Sequence, residues 1–532
     1  MQAILPRPNK IQVHPGELLL STPITVSGSL VLFTLLEHLP GIQADLFQPV
    51  PEGVESQLRL ELDPQLENHL GTEGYQLEIN THQGIIRATG AAGIYYGLVT
   101  LLQLLPPHLD GEARLPCLSI SDQPRFAWRG FMLDEARHFF GMDTVKRLLD
   151  WLAFFKINRF HWHLTDYQGW RVEIQNYPRL AEIGGRREGS QRGSFSTKYS
   201  SMDMTPHQGW YTQEEIREIV SYAAARQITI IPEVDLPGHF TAALAAYPGL
   251  GCKSGQLQVR TEWGIFEDVA CVGKAGTRQF LYNVLGELAD LFPGPYFHLG
   301  GDEVKTDNWR SCPDCRRVKE EHGLDSFAQL NSWIMNDLGE FLRGKGKTAV
   351  VWNEALGESL DKGIIIMHWT PQPFTLTGTR RALREGYQAV LQPFRESYFD
   401  YAHSFVPLER VYRGKTLERL SPPELENVMG VQGALWTEFV EDQSRLQWNT
   451  FPRQAAIAEV AWSQPGTKSY PDFQLRWGAL LAHLGKLGLN NPAPLAACNP
   501  SFYRRNMALV HDVLRDMHAE QKRWENAGKP GG

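Results

Sequence analysis

Eight short apolar runs that alternate with helix-like stretches constrain this chain more than any other feature. The runs are Gly130–Asp134, Phe160–Thr165, Thr229–Val234, Tyr296–Leu299, Thr348–Trp352, Ile364–Trp369, Ala389–Pro393 and Met429–Leu435. Between them, stretches such as Val145–Phe155, Gln213–Arg226, Thr277–Leu291 and Ser326–Arg343 place apolar residues at helical spacing. Strand then helix, repeated eight times, specifies a (β/α)8 TIM barrel. The competing fold is a doubly wound sheet. It usually repeats fewer strands, and the Gly-x-Gly-x-x-Gly that often opens it is absent after the first run.

The flanks read differently. In residues 1–122, Tyr75–Asn80 and Gly84–Ala88 read as a hairpin around Thr81-His82-Gln83, and Ala91–Leu105 as a helix stopped by Pro106-Pro107. This is a small α+β supporting domain. The barrel is expected over residues 123–470, with a junction at Ser121-Asp122-Gln123-Pro124. Residues 471–532 form a helical C-terminal extension, with helices at Phe473–Leu487 and Pro500–Trp524 and a disordered Gly/Pro-rich end.

Composition excludes some function classes. The net charge of −8 gives no basic face for nucleic acid. Apolar runs such as Leu30–Leu36 fall far short of the ~20 residues that span a bilayer. The N-terminus lacks a basic-then-apolar signal, so a cytoplasmic protein is expected, or a secreted one if a leader has been trimmed. Cys312-Pro-Asp-Cys315 has the spacing of half a zinc site or a redox pair. No second pair or His cluster completes it, so it reads as a surface-loop pair. Cys252 and Cys271 bracket one loop and could form a bridge, which a reducing compartment disfavours. No metal and no cofactor are expected.

In a barrel, chemistry sits at the C-terminal ends of the strands. Those ends carry Arg129, Asp134, Arg137 and His138; then His161, His163 and Asp166; then Glu233, Asp235 and His239. The fourth ends Gly300-Gly301-Asp302-Glu303, and the others bring Trp352-Asn353-Glu354, Trp369, Tyr398 and Asp400, and Trp436-Thr437-Glu438. Any one of these has a bland explanation as a solvated or arginine-paired side chain. Carboxylates, histidines and indoles recurring at the same end of nearly every strand do not. Acids for proton transfer and aromatic walls for a ring are the parts of a sugar hydrolase. Asp302 and Glu303 are consecutive, so a regular strand would point them to opposite faces. Both can reach one pocket only if the backbone leaves strand geometry, which Gly300 and Gly301 permit.

Several of these motifs, in order, closely resemble the family 20 glycoside hydrolases, the β-N-acetylhexosaminidases. They are Arg129-Gly-Phe-Met-Leu-Asp134 with Ala136-Arg137-His138, His161-Trp-His-Leu-Thr-Asp166, Glu233-Val-Asp-Leu-Pro-Gly-His239, His298-Leu-Gly-Gly-Asp-Glu303, and Leu435-Trp-Thr-Glu438. The first unit is similar to the α+β domain that precedes the barrel in that family. One departure stands out: Tyr167 occupies the place of the second Asp in the family's Thr-Asp-Asp-Gln-Gly-Trp, which puts local hydrogen bonding and the aglycone rim in question.

The resemblance implies a retaining, substrate-assisted mechanism on terminal GlcNAc or GalNAc of a glycan. Glu303 would be the general acid and base. Asp302, ionised, would orient the substrate's 2-acetamido group, whose carbonyl oxygen is the nucleophile. Tyr398 would hydrogen-bond that oxygen. Asp166 and His239 would form a relay behind Glu303. Arg129, Asp400 and Glu438 would bind sugar hydroxyls, and Trp352, Trp369 and Trp436 would wall the acetamido pocket and ring. Trp309 would shape the aglycone side. The loop Gly185–Gly209 is expected to border the site. Alternatives are a narrower specialist of the same fold and a non-catalytic sugar binder; the latter is disfavoured because Asp302, Glu303 and Tyr398 are all present.

Overall fold

The computed structural model describes residues 2–42, 45–109, 111–193, 201–253, 255–357, 359–369 and 376–500. Eight parallel strands close into a barrel: Trp128–Asp134, Arg159–His163, Thr229–Leu236, Tyr296–Gly300, Thr348–Trp352, Ile365–His368, Ala389–Leu391 and Val428–Leu435. Closure is made by the last strand pairing with the first, Gly430 opposite Trp128 through Leu435 opposite Leu133. The expected eight-fold β/α barrel is therefore present, its strands within a few residues of the sequence reading.

Helices form where capping and apolar spacing agree. Gln213–Ala225 begins at a capping box, in which the Thr212 side chain accepts from the Glu215 amide and Glu215 reciprocates; it buries Ile216, Ile219 and Ala223 on one face. Phe327–Gly344 starts where the Ser326 side chain accepts from the Gln329 amide, and it buries Leu330, Ile334, Leu338 and Leu342. Inside the barrel, Met132, Ile231, Val350, Trp352, Ile365, Met367 and Val390 form one apolar layer. A fully buried interior of this kind is a packed core, not a pore.

The first unit is larger than the hairpin and helix legible in the sequence. Seven strands form one sheet, ordered Lys10–Ser21, Glu112–Asp122, Tyr75–Ile79, Gly84–Ala88, Leu58–Leu62, Ile24–Ser27 and Phe47–Val50. Helix Ala91–Leu104 packs on it. The sheet domain meets the lower end of the barrel through buried polar contacts: Lys156 Nζ lies 3.0 Å from the Tyr75 hydroxyl and 3.5 Å from Asp122 Oδ2. Helix Tyr470–Lys486 buries Phe473, Trp477, Leu480 and Leu484. Apart from Pro500 itself, the expected second helix at Pro500–Trp524 lies outside the described residues, as does the Gly/Pro-rich end. Among the described residues no helix is long and apolar enough to cross a membrane.

Candidate active site

The fourth strand ends at Gly300, and there the backbone turns out of strand geometry. Gly300 and Gly301 have φ of 73° and 98°, and Glu303 has φ of 51°. A side chain at 300 is excluded twice over: its φ is left-handed, and a Cβ there would lie 1.8 Å from Asp235 Oδ1. The turn brings both acids to one imidazole. His239 Nε2 lies 3.8 Å from Asp302 Oδ2 and 3.5 Å from Glu303 Oε2. The Glu303 amide donates to Glu354 Oε2 at 2.7 Å, fixing the turn from the fifth strand's end.

Behind the pair runs a chain of buried charges. Asp166 contacts His239 Nδ1 through both oxygens at 3.0 Å, and its Oδ2 lies 2.7 Å from Arg137 Nη2 and 3.1 Å from His163 Nε2. His163 Nδ1 is 2.5 Å from Glu233 Oε2, which also lies 3.0 Å from His161 Nε2. The other Glu233 oxygen takes His298 Nδ1 at 2.9 Å and the Trp352 indole N–H at 2.8 Å. Burial alone would raise the Asp166 pKa, but Arg137 and His239 outweigh it and hold the carboxyl ionised. Burial would likewise lower His239, yet Asp166, Tyr167, Asp235 and Asp302 push it well above the ordinary imidazole value. His161 differs: burial wins and lowers it to about 4, so it packs neutral beside Glu233.

The other half of the mouth is aromatic and acidic. Tyr398 stacks on Trp369 with ring centres 6.0 Å apart and planes at 22°, and Trp436 lies 6.2 Å from Tyr398. Trp352 is fully buried 6.1 Å from Trp436, so it forms the floor beneath that ring. Arg137 covers the Trp436 ring at 5.0 Å and reaches Glu438 Oε1 at 3.9 Å. Among the described residues, buried atoms here without a hydrogen-bonding partner include Asp302 Oδ1, Asp400 Oδ1, Glu438 Oε2, Trp369 Nε1 and Trp436 Nε1. Orphaned acceptors are costly unless a ligand answers them. Burial, with the Glu438 charge beside it, pushes Asp400 well up; burial also raises Glu438 to about 7 against the pull of Arg137.

Several expectations change. Arg129 is not at this mouth. It is the second residue of the first strand, at the barrel's lower end, where Glu73 clasps both terminal nitrogens at 2.9 and 2.8 Å and Lys156 O accepts from Nε at 2.9 Å. The arginine at the site is Arg137, eight residues later and three beyond the end of a strand that rises about 3.3 Å per residue; its place beyond the strand's C-terminal end was the signal that separates the two. Asp302 does not sit in a field that favours its anion: burial, then Asp235, with Glu303 adding, raises its pKa well above the carboxylate range despite His239. Trp309 is fully buried, its N–H donated to Ala270 O at 2.9 Å, and walls no open site. Tyr167 lies under the relay, its ring 4.6 Å from that of His239 and its hydroxyl donated to Phe266 O at 3.1 Å.

The loop Gly185–Gly209 contributes two short ribbons, Arg186–Arg187 with His207–Gln208 and Ser190–Arg192 with Ser201–Asp203; its residues 194–200 lie outside the described residues. Cys312 and Cys315 are not a surface-loop pair. Both are buried, and Cys271 Sγ lies 3.6 and 3.7 Å from them, so no bridge joins Cys271 to Cys252.

Paired carboxylates, a charged relay and indole walls at the C-terminal mouth of a (β/α)8 barrel define a barrel glycoside hydrolase. The family model "Glycosyl hydrolase family 20, catalytic domain" matches residues 126–465, and "Glycosyl hydrolase family 20, domain 2" matches residues 1–123. The chain belongs to glycosyl hydrolase family 20. It is 36% identical over 445 residues to a beta-hexosaminidase of Porphyromonas gingivalis, covering 80% of this chain and 55% of that protein, so it spans little more than half that relative's length. A beta-hexosaminidase of Vibrio furnissii is 36% identical over 476 residues, covering 86% of this chain and 76% of the relative. Among solved structures, the beta-N-acetylhexosaminidase of Bacteroides fragilis superposes with a TM-score of 0.80 at 32% identity, over 94% of this chain and 99% of that one. A Vibrio harveyi exo beta-N-acetylglucosaminidase in complex with N-acetylglucosamine gives a TM-score of 0.79 at 31% identity, over 93% of this chain and 78% of that one.

Proposed function

We propose that the chain is an exo-acting, retaining β-N-acetylhexosaminidase that removes terminal non-reducing GlcNAc or GalNAc from glycans through an oxazolinium intermediate. The observation that carries this reading is the delivery of two consecutive acids, Asp302 and Glu303, to one imidazole. In a two-carboxylate retaining scheme the nucleophile and the acid flank the scissile bond from opposite sides. Two acids arriving on one turn do not divide the work that way, and the substrate's own acetamido oxygen supplies the nucleophile instead.

Each step then has a residue. Glu303, beside His239, gives its proton to the glycosidic oxygen as the bond to the anomeric carbon breaks, and later takes one from the incoming water. The acetamido carbonyl oxygen closes on the anomeric carbon, held by the Tyr398 hydroxyl; a nucleophile already in place removes much of the entropic barrier. Asp302 accepts the acetamido N–H and faces the positive charge of the oxazolinium. In the free enzyme that carboxyl is driven toward its neutral form by burial and by Asp235. The N–H and the developing cation add positive partners to the single one, His239, that faces Asp302 in the free protein, so Asp302 gains most as the transition state forms. Arg137, Asp400 and Glu438 hold the sugar hydroxyls, and Trp369 and Trp436 enclose the ring over the Trp352 floor.

The relatives named as hexosaminidases and the neighbour solved with N-acetylglucosamine support the sugar assignment. A thiazoline that mimics the oxazoline tests the mechanism: competitive inhibition far tighter than by the product sugar is expected. Weak inhibition together with a trapped glycosyl-enzyme would assign the nucleophile to a carboxylate instead.

A further inference from the structure

Four of the six cysteines, far apart in sequence, bring their sulfurs to one point. Cys252 and Cys271 belong to the connection after the third barrel strand, and Cys312 and Cys315 to the connection after the fourth. The Cys271–Cys312, Cys271–Cys315 and Cys252–Cys315 sulfur distances are 3.6, 3.7 and 3.8 Å, and all four sulfurs lie within 4.8 Å of one another. A disulfide would require about 2.0 Å. A tetrahedral zinc with Zn–S bonds of about 2.3 Å places its four sulfurs roughly 3.8 Å apart.

The backbone is shaped to the same end. Cys312 caps helix Pro313–Glu321 and Cys315 sits in its first turn, the two-residue spacing of a metal knuckle. The facing segment, Cys271-Val272-Gly273-Lys274, presses directly on it: a Cβ at Gly273 would lie 2.3 Å from the Cys315 nitrogen. Cations gather at the same backbone. Arg278 Nη1 donates to Val272 O at 2.7 Å, Arg317 Nη2 to Gly273 O at 3.4 Å, and Lys274 Nζ to Gly251 O at 2.7 Å. Four thiolates around a divalent ion leave a net charge of −2, which cations on this backbone would favour.

We infer that Cys252, Cys271, Cys312 and Cys315 bind one zinc ion in a closed, structural tetrathiolate site. Binding releases the four thiol protons and leaves no open coordination position, so the ion takes no part in the sugar chemistry. Its role is to clamp the third connection to the fourth. The third carries His239 and the fourth carries Asp302 and Glu303. The clamped strand of chain also holds Ala270, whose amide donates to Pro237 O at 2.9 Å and whose carbonyl receives the Trp309 indole, and Phe266, whose carbonyl receives the Tyr167 hydroxyl. Tyr167 in turn packs on His239. The clamped segment thus reaches the relay through Phe266 and Tyr167.

Elemental analysis and native mass spectrometry of the full chain, purified without chelator, should find about one zinc per chain. Alkylation in denaturant with chelator should then label all six cysteines. Cys312→Ser and Cys315→Ser should each lower zinc content by roughly tenfold or more and lower the thermal midpoint, while Cys117→Ser retains the metal. Should the ligand variants fail to fold, cobalt exchanged into the wild-type chain should give the absorption of a tetrahedral tetrathiolate. Metal-free protein with six alkylatable thiols, protein with only two, or iron in place of zinc would each overturn the assignment.

Discussion

Arg129 near the start of the first barrel strand and Arg137 just past its end show that the two ends of the barrel treat a buried guanidinium differently. At the lower end Arg129 is saturated. Its terminal nitrogens hold both Glu73 oxygens, the Tyr96 hydroxyl and Phe126 O, and its Nε donates to Lys156 O. Burial would raise Glu73, but Arg129 more than compensates and lowers it. At the upper end Arg137 is shared among Asp134, Asp166 and Glu438, and acids outnumber cations. Asp302, Asp400 and Glu438 keep orphaned oxygens and raised pKa values. At the supporting end Arg129 and Glu73 answer each other within the protein. A working end leaves charge for the substrate to answer.

The sharpest way to break that contrast is to remove the proton donor. Glu303→Gln should lower kcat on substrates with poor leaving groups by about 10²–10⁴-fold, with a smaller loss on activated aryl glycosides, because only the former need protonation. Asp302→Asn should cost about 10²–10³-fold in kcat. The same substitution should raise stability at neutral pH. A carboxyl whose folded pKa exceeds its unfolded value of about 3.9 makes the native state bind more protons between those values, so stability falls as pH rises through that window. Replacing it with an amide removes the penalty, for a gain of about 2–4 °C at pH 7–8 that vanishes below about pH 4. Thermal melts across pH check this, and an equal gain at pH 3 would contradict it.

The two arginines give a matched test of intermediate size. Arg129→Ala should destabilise by about 3–5 kcal/mol, since Glu73 is left without its partner, while the folded fraction keeps its kcat/KM within about twofold. Arg137→Ala should lower kcat/KM by roughly a hundredfold, about 3 kcal/mol. If both variants lost stability and neither lost kcat/KM, the division between the two ends would fail. Smallest of all, Tyr167→Phe removes only the hydroxyl bond to Phe266 O and should cost a few-fold in kcat, on the order of 1 kcal/mol.

Much of this was legible in the sequence because the barrel imposes its own grammar. Strand runs of Val, Ile and aromatic residues ending in acids located all eight strands and most of the mouth, and the Gly300-Gly301 step foretold that Asp302 and Glu303 would share a pocket. The remainder depended on distances the sequence does not carry. Arg129 was the exception, since its place at the start of the first strand, with Arg137 beyond the end, was itself legible. The seven-stranded sheet pairs residues more than a hundred positions apart, such as Lys10 with Ser121, so its hairpin alone showed. The cysteines failed for the same reason: Cys252 with Cys271 and Cys312 with Cys315 read as two separate pairs, because the sequence does not show that the two connections bring all four sulfurs together. The Asp302 field, set by burial and then by Asp235 from the third strand, is likewise a product of packing.

The central claim is that the acid pair serves the substrate's own acetamido group. Turnover of an aryl N-acetyl-β-glucosaminide against the matching aryl β-glucoside tests it most directly, since the two differ only at that nucleophile. Hydrolysis of the N-acetyl substrate is predicted to be faster by about 10³-fold or more, the advantage of a positioned intramolecular nucleophile. Equal rates on the two would contradict the account.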